Sequence, residues 1–159
     1  MTDLFFETKL FNELHSSELY KLLQLRSMIF VVEQNCIYQD IDDKDLSSIH
    51  VLVYYKNKLI GYARCCPPGL SYPEASSIGR VLIHPEYRSN KWAYVLMKKS
   101  IAICEKHFTN YKIYISAQLY LQKFYEKCGF EGISDVYKED GIPHIKMALN
   151  RLNKHLTLN

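Results

Sequence analysis

The run Ile78-Gly79-Arg80-Val81-Leu82-Ile83, with the turn and helix after it, constrains this chain most tightly. Its apolar residues read as a buried strand. His84-Pro85-Glu86-Tyr87 then reads as a turn, since proline fixes φ and cannot donate to a ladder. Beyond it, apolar residues recur at Ala93, Leu96, Met97, Ile101, Cys104 and Phe108, which is helical spacing. A strand therefore enters a short loop, and the loop enters a helix N-terminus. Such a terminus offers unpaired N–H groups and the positive end of the helix dipole, a seat for a phosphate group. Arg88 and Lys91 add charge for the same anion. The pattern alone equally fits an ordinary strand–turn–helix unit with a solvated arginine.

The rest of the chain fits around this unit as one domain, residues 1–159. At 48% hydrophobic residues the chain has material for a core, and nothing in it reads as disordered. The formal charge of +3 calls for neither nucleic acid nor an anionic membrane as partner. No apolar run is long enough to span a bilayer. The start, Met1 to Glu7, lacks the basic character of a signal peptide. The five cysteines form no CxxC, and adjacent Cys65 and Cys66 are poorly placed to bridge. Reduced thiols in a cytoplasmic protein are expected. Cys and His show no zinc spacing, and no metal is expected.

Residues 3–11 are expected to form a strand. A helix starts at Ser16-Ser17-Glu18, with hydroxyl caps and an early acid, and runs to about Phe30. The acidic segment 31–45 reads as a loop that Val31, Val32, Ile37 and Tyr38 could pin as one wall of a pocket. Strands at 49–55 and 59–66 form a hairpin across Lys56-Asn57-Lys58. Another strand is expected at 111–117 and a helix at about 119–127, ended by Gly129. Strands from Phe130 to about Tyr137 and from 142 to 149 flank a turn at Glu139-Asp140-Gly141, and the last ten residues are expected to fray. Gln118 and Tyr125 lie seven residues apart, so they can share a face. Tyr125 also reads simply as helix-face core.

Two motifs carry a resemblance. The strand, proline turn and Arg88-Ser89-Asn90-Lys91-Trp92-Ala93 are one; Phe124-Tyr125-Glu126-Lys127-Cys128-Gly129-Phe130 is the other. Together they resemble the GNAT N-acetyltransferases. Phe30-Val31-Val32-Glu33-Gln34, His50, Ile78-Gly79-Arg80-Val81 and Glu139-Asp140-Gly141-Ile142-Pro143-His144 narrow the resemblance to the ElaA branch, over about residues 5–149. The resemblance implies an α/β (α+β) fold, with a mixed central sheet of six to seven strands flanked by three to four helices. It implies acetyl-CoA as cosubstrate. Loop amides from Arg88 through Ser89, Asn90, Lys91, Trp92, Ala93 and Tyr94 would hold its pyrophosphate. Val81, Leu82 and Ile83 would pair with its pantetheine arm, and Gln118 would touch it. Ser89 and Lys91 stand where the family often has glycine. Tyr125 would protonate the leaving thiolate, and a backbone N–H of 81–83 would polarise the carbonyl.

The reaction so implied is acetyl transfer to a primary amine on a small molecule or peptide. An alkylammonium, with a pKa near ~10.4, must first lose a proton. His144, Glu33, His50 and Asp140 are the candidate bases. His144 has the suitable intrinsic pKa, and Glu33 and Gln34 come just after the first helix, where acceptor pockets are shaped. With Tyr125, His144 and Glu33 are the expected catalytic set; Arg26, Gln34, His50, Arg80 and Asp140 join His144 and Glu33 as acceptor-side candidates. Arg80 is a charge inside an apolar strand and needs a partner, with Glu33, Asp42 and Asp140 as candidates. Unpaired Arg80 and Arg26 in the pocket would favour an acceptor carrying a carboxylate over a polyamine. The rival readings are a non-catalytic acyl-CoA-binding module on the same fold and an enzyme like the acyl-homoserine-lactone synthases. A monomer or a homodimer fits equally.

Overall fold

The computed structural model describes residues 3–151. The expected fraying of the C-terminus falls, past Arg151, outside them. Its eight strands form one sheet: β1 (Leu4–Leu10), β2 (Ile49–Tyr55), β3 (Lys58–Cys66), β4 (Ala75–Ile83), β5 (Lys112–Gln118), β6 (Phe130–Gly132), β7 (Tyr137–Glu139) and β8 (Ile142–Leu149). The order is β1-β2-β3-β4-β5-β8-β6, with β7 also on β8, and β4–β5 is the parallel pair. The expected strand from Phe130 to Tyr137 is two short strands instead, which lifts the count above seven. Three α-helices accompany the sheet among the described residues: α1 (Ser16–Arg26), α2 (Trp92–His107) and α3 (Gln122–Lys127). A π-helical segment, Ser27–Glu33, carries α1 past the expected end at Phe30.

The two sheet faces bury different sets. Val51, Val53, Ile60, Ala63 and Ile115 pack with Leu96, Met97 and Cys104 of α2. Leu52, Leu59, Tyr62 and Leu82 pack with Leu22, Leu25 and Ile29 on the α1 side. The alternation of neighbouring strand residues between the two clusters is the period-two pleat. Lys56 and Asn57 both take positive φ, as the two-residue β2–β3 turn requires, and Asp140 and Gly141 do the same at β7–β8.

Two irregularities position the site. Tyr62 pairs with Leu82 and Arg64 with Gly79, so one residue of β3 opposes two of β4, a bulge at Arg80-Val81. Arg80 takes φ of 52° there, a conformation L residues avoid. Further, β4 meets β5 only at Ala75–Lys112, Ser76–Ile113 and Ser77–Tyr114. Beyond these pairs the strands part. β5 continues to pair with β8, through Gln118 opposite His144, while the β5-side edge of Ile78–Ile83 has no ladder partner among the described residues.

Candidate active site

A cleft of about 890 Å³ opens where β4 and β5 diverge. Val81, Leu82, Ile83, Arg88, Ala93, Gln118 and Tyr125 line it, as do Glu33, Gln34, Arg80, Asp140 and His144. Ser89, Asn90, Lys91, Trp92 and Tyr94 sit on the loop and first turn of α2 without lining it. Trp92 packs on Tyr55 at 5.1 Å, and Tyr94 on Phe124 at 4.8 Å. Lys91 stands at the N-cap of α2 with φ of 58°, the left-handed conformation that glycine adopts without strain.

Glu33 and Gln34 cross the mouth of the cleft. Glu33 grips the Arg88 guanidinium with both carboxylate oxygens, at 2.8 and 3.0 Å, while Arg88 Nε donates to the Ile83 carbonyl at 3.0 Å. Gln118 Nε2 donates to Gln34 Oε1 at 3.0 Å. One residue pair thus ties the α1 extension to the tips of both splayed strands.

Tyr125 lies in the floor, packed edge-on against Phe124 at 5.0 Å and Phe130 at 6.3 Å. Burial pushes its phenol well above the ordinary range, so it keeps its proton at neutral pH. His144 is 8% exposed. Its Nδ1 lies 2.7 Å from the Ile142 carbonyl, which can only accept, so Nδ1 carries the hydrogen and Nε2 the lone pair of the neutral ring. Tyr137 stacks on the ring at 6.2 Å.

Two expected acceptor-side residues are elsewhere. His50 is fully buried and outside the cleft. Its Nε2–H donates to the Asp45 carbonyl at 3.0 Å, so Nδ1 accepts from the Tyr62 hydroxyl at 2.7 Å. Burial pushes its pKa down, and the charges of Arg26 and Arg64 add to that. Both ring nitrogens are occupied in the core, so His50 is no base for an amine. Arg26, also fully buried, binds Asp40 at 2.9 Å and Asp45 at 2.7 Å and does not reach the cleft.

Arg26 belongs to a cluster of three arginines and three aspartates. Arg64 binds Asp42 at 2.6 Å and Asp45 at 2.9 Å; Arg80 binds Asp40 at 2.6 Å and Asp42 at 3.4 Å. Of the partners expected for Arg80, Asp42 is present, whereas Glu33 is spent on Arg88. Burial would raise the Asp42 carboxyl, but the hydrogen bonds and charge of Arg64, with the charge of Arg80, outweigh it and hold it at about 2. The cluster anchors the acidic segment as a wall and explains how Arg80 tolerates its bulge. Asp40, Asp45 and Arg64 were not singled out from the sequence. A signal existed for Arg64, a charge inside an apolar strand like Arg80. Glu139 and Ser116 also line the cleft; Ser116 carries no sequence signal beyond a strand, and Glu139 opens the Glu139-to-His144 element of the resemblance without a role attached to it.

A family model described as an acetyltransferase (GNAT) domain matches residues 20–151. The ElaA protein of Escherichia coli is 45% identical over 139 residues, 86% of this chain and 90% of that protein. A UPF0039 protein of Schizosaccharomyces pombe is 39% identical over 94% of this chain and 99% of its own. The crystal structure of Escherichia coli ElaA superposes with a TM-score of 0.84 at 41% identity, covering 92% of this chain and 99% of that one. An acyl-CoA N-acyltransferase from Pseudomonas aeruginosa gives 0.86 at 36% identity over the same shares. The acyl-homoserine-lactone synthase BjaI, at 0.74 and 14% identity over 94% of this chain and 85% of that one, shares the fold alone. With the splayed strands, the capped helix and these relatives together, the chain belongs to the GNAT family of acyl-CoA N-acyltransferases, in its ElaA-like branch.

Proposed function

We propose that this protein transfers an acetyl group from acetyl-CoA to a primary amine by direct attack, with Tyr125 as general acid. The observation that carries the reading is the β5-side edge of β4, without a ladder partner among the described residues, in one cleft with the buried Tyr125. An extended amide-bearing arm is held at such an edge by main-chain hydrogen bonds, as an added strand would be. The N-terminus of α2, with Arg88 and Lys91 before it, suits the pyrophosphate. Arg88 stands there already oriented, but Glu33 holds it, and a phosphate must compete for it.

Acetyl-CoA supplies a thioester whose carbonyl carbon an amine can attack. A main-chain N–H of Val81–Ile83 polarises the carbonyl oxygen as charge develops. His144 Nε2 takes the proton that the amine gives up, and its Nδ1–H stays on the Ile142 carbonyl, which fixes the ring. Tyr125 O–H meets the sulfur as the C–S bond breaks. Glu33, bound to Arg88, acts at the cosubstrate mouth rather than as the base. The five free thiols fit a reducing, cytoplasmic setting.

Thiol release from acetyl-CoA with a panel of primary amines tests the reading. Turnover in the wild type that collapses in Tyr125→Phe, with acetyl-CoA affinity retained, supports it. Acetyl-CoA binding without turnover on any amine would point to the non-catalytic binding module.

A further inference from the structure

The cleft wall opposite the charge cluster has a different electrostatic character. Register places Ser116 opposite Lys146, Gln118 and Tyr137 opposite His144, and Glu139 opposite Ile142. Paired residues share a face, so Ser116, Gln118, Tyr137, Glu139, His144 and Lys146 project from one side of the sheet; the Lys146 ammonium lies over the Tyr72 and Tyr114 rings, at 4.7 and 4.4 Å, and 3.9 Å from Glu74. Ser116 Oγ donates to Glu139 Oε2 at 2.6 Å. Having spent its hydrogen, it accepts from the Tyr137 hydroxyl at 2.5 Å. Glu139 is thereby oriented, yet it forms no ion pair among the described residues.

Two further observations bear on the ligand. His144, more than nine-tenths buried, lines the cleft and has no hydrogen bond at Nε2 among the described residues. Every arginine lining the cleft is already neutralised: Arg64 and Arg80 by aspartates, Arg88 by Glu33. An acceptor carboxylate would find no free guanidinium. Lys44 is on the opposite wall, its ammonium on the Ser71 hydroxyl at 3.2 Å.

We propose that Glu139, oriented by Ser116, is the specificity residue that binds a second, non-reacting ammonium of the acceptor, so that the protein selects short diamines over amines with a neutral or anionic far end. The inference rests on the acetyl-transfer reading above. Glu139 is a poor place for the reacting nitrogen, because a carboxylate stabilises the protonated amine that must be avoided. His144 faces the reacting amine. The Cα rows of Tyr137–His144 and Glu139–Ile142 lie two residues apart, about 6.8 Å along the strands, which sets the scale of a short diamine.

Three probes of similar length test this: 1,4-diaminobutane, n-pentylamine and 4-aminobutanoate. Binding of each is titrated calorimetrically with coenzyme A present, and kcat/KM is measured by thiol release. The wild type should favour the diamine over n-pentylamine by about tenfold in both readouts, the size of one charge-assisted hydrogen bond in a half-open site. Glu139→Gln should bring that ratio near one through KM, and Ser116→Ala should reduce it partway. Glu74→Gln, which removes an acid that faces Lys146 and does not line the cleft, should leave the ratio as it is. Equal binding of diamine and n-pentylamine, preference for 4-aminobutanoate, or an unchanged ratio in Glu139→Gln overturns the proposal. Diamine binding that needs Glu139 but is accompanied by no thiol release would uphold the site and sink the acetyl-transfer reading alone.

Discussion

Both walls of the cleft carry ionisable side chains and do opposite things with them. On and behind one, Arg26, Arg64 and Arg80 meet Asp40, Asp42 and Asp45, and the charges cancel within the cluster. On the other, Glu139 and His144 are held by neutral partners, a hydroxyl and a carbonyl. A charge that meets its opposite stiffens a wall. A group that is oriented by neutral partners keeps its charge or lone pair for a ligand. Partnering, rather than residue type, separates scaffold from site here. Arg26 and His50 resembled pocket residues and are scaffold, while Glu139 resembled a turn residue and faces the cleft.

Arg26→Met should give the largest effect, because it leaves buried Asp40 and Asp45 short of a cation. Stability should fall by about 3–5 kcal/mol, read as the midpoint of urea unfolding. A neutral result would mean that the cluster does not hold the wall. Tyr125→Phe is next: kcat should drop about a hundredfold, or ~2.7 kcal/mol of barrier, with acetyl-CoA affinity kept. Acid titration reads the scaffold behind the charged wall. The folded pKa of Asp42 is about 2, below its unfolded value, so its contribution is complete above about 3.9 and is lost as pH falls toward 2. That share is about 2 kcal/mol. His50 is also depressed in the fold, so its contribution is complete above about 6.5 and erodes as pH falls below that. A melting temperature flat from about pH 7 to about pH 3 would contradict both. The smallest effect is at the mouth. Glu33→Gln removes the competitor for Arg88 and should tighten acetyl-CoA binding by about twofold, the scale of an exposed ion pair.

The fold was legible because its cues are local. Proline at 85, apolar spacing through α2 and alternation in β8 each set an element without distant help. The charged wall was half legible: Arg80 in an apolar strand demanded a partner, but Asp40, Asp42, Asp43 and Asp45 are interchangeable in sequence. Only the path of the loop brings Asp40 to within 2.6 Å of Arg80. Glu139 was not legible as a site residue. Its role depends on Ser116, 23 positions away, reaching it across β8. The bulge at Arg80 was hidden for a related reason, since a bulge is a property of two strands and Arg80 alone gives no sign of it.

The central claim is that the splayed strands and the loop before α2 bind acetyl-CoA. Isothermal titration of acetyl-CoA into the wild-type protein, repeated with Arg88→Gln, tests it most directly. One-to-one binding that weakens about tenfold in the variant is the predicted result, the loss of a charge-assisted contact to phosphate. No heat of binding with acetyl-CoA on the order of 1 mM, or an affinity indifferent to Arg88, would contradict the assignment of this cleft.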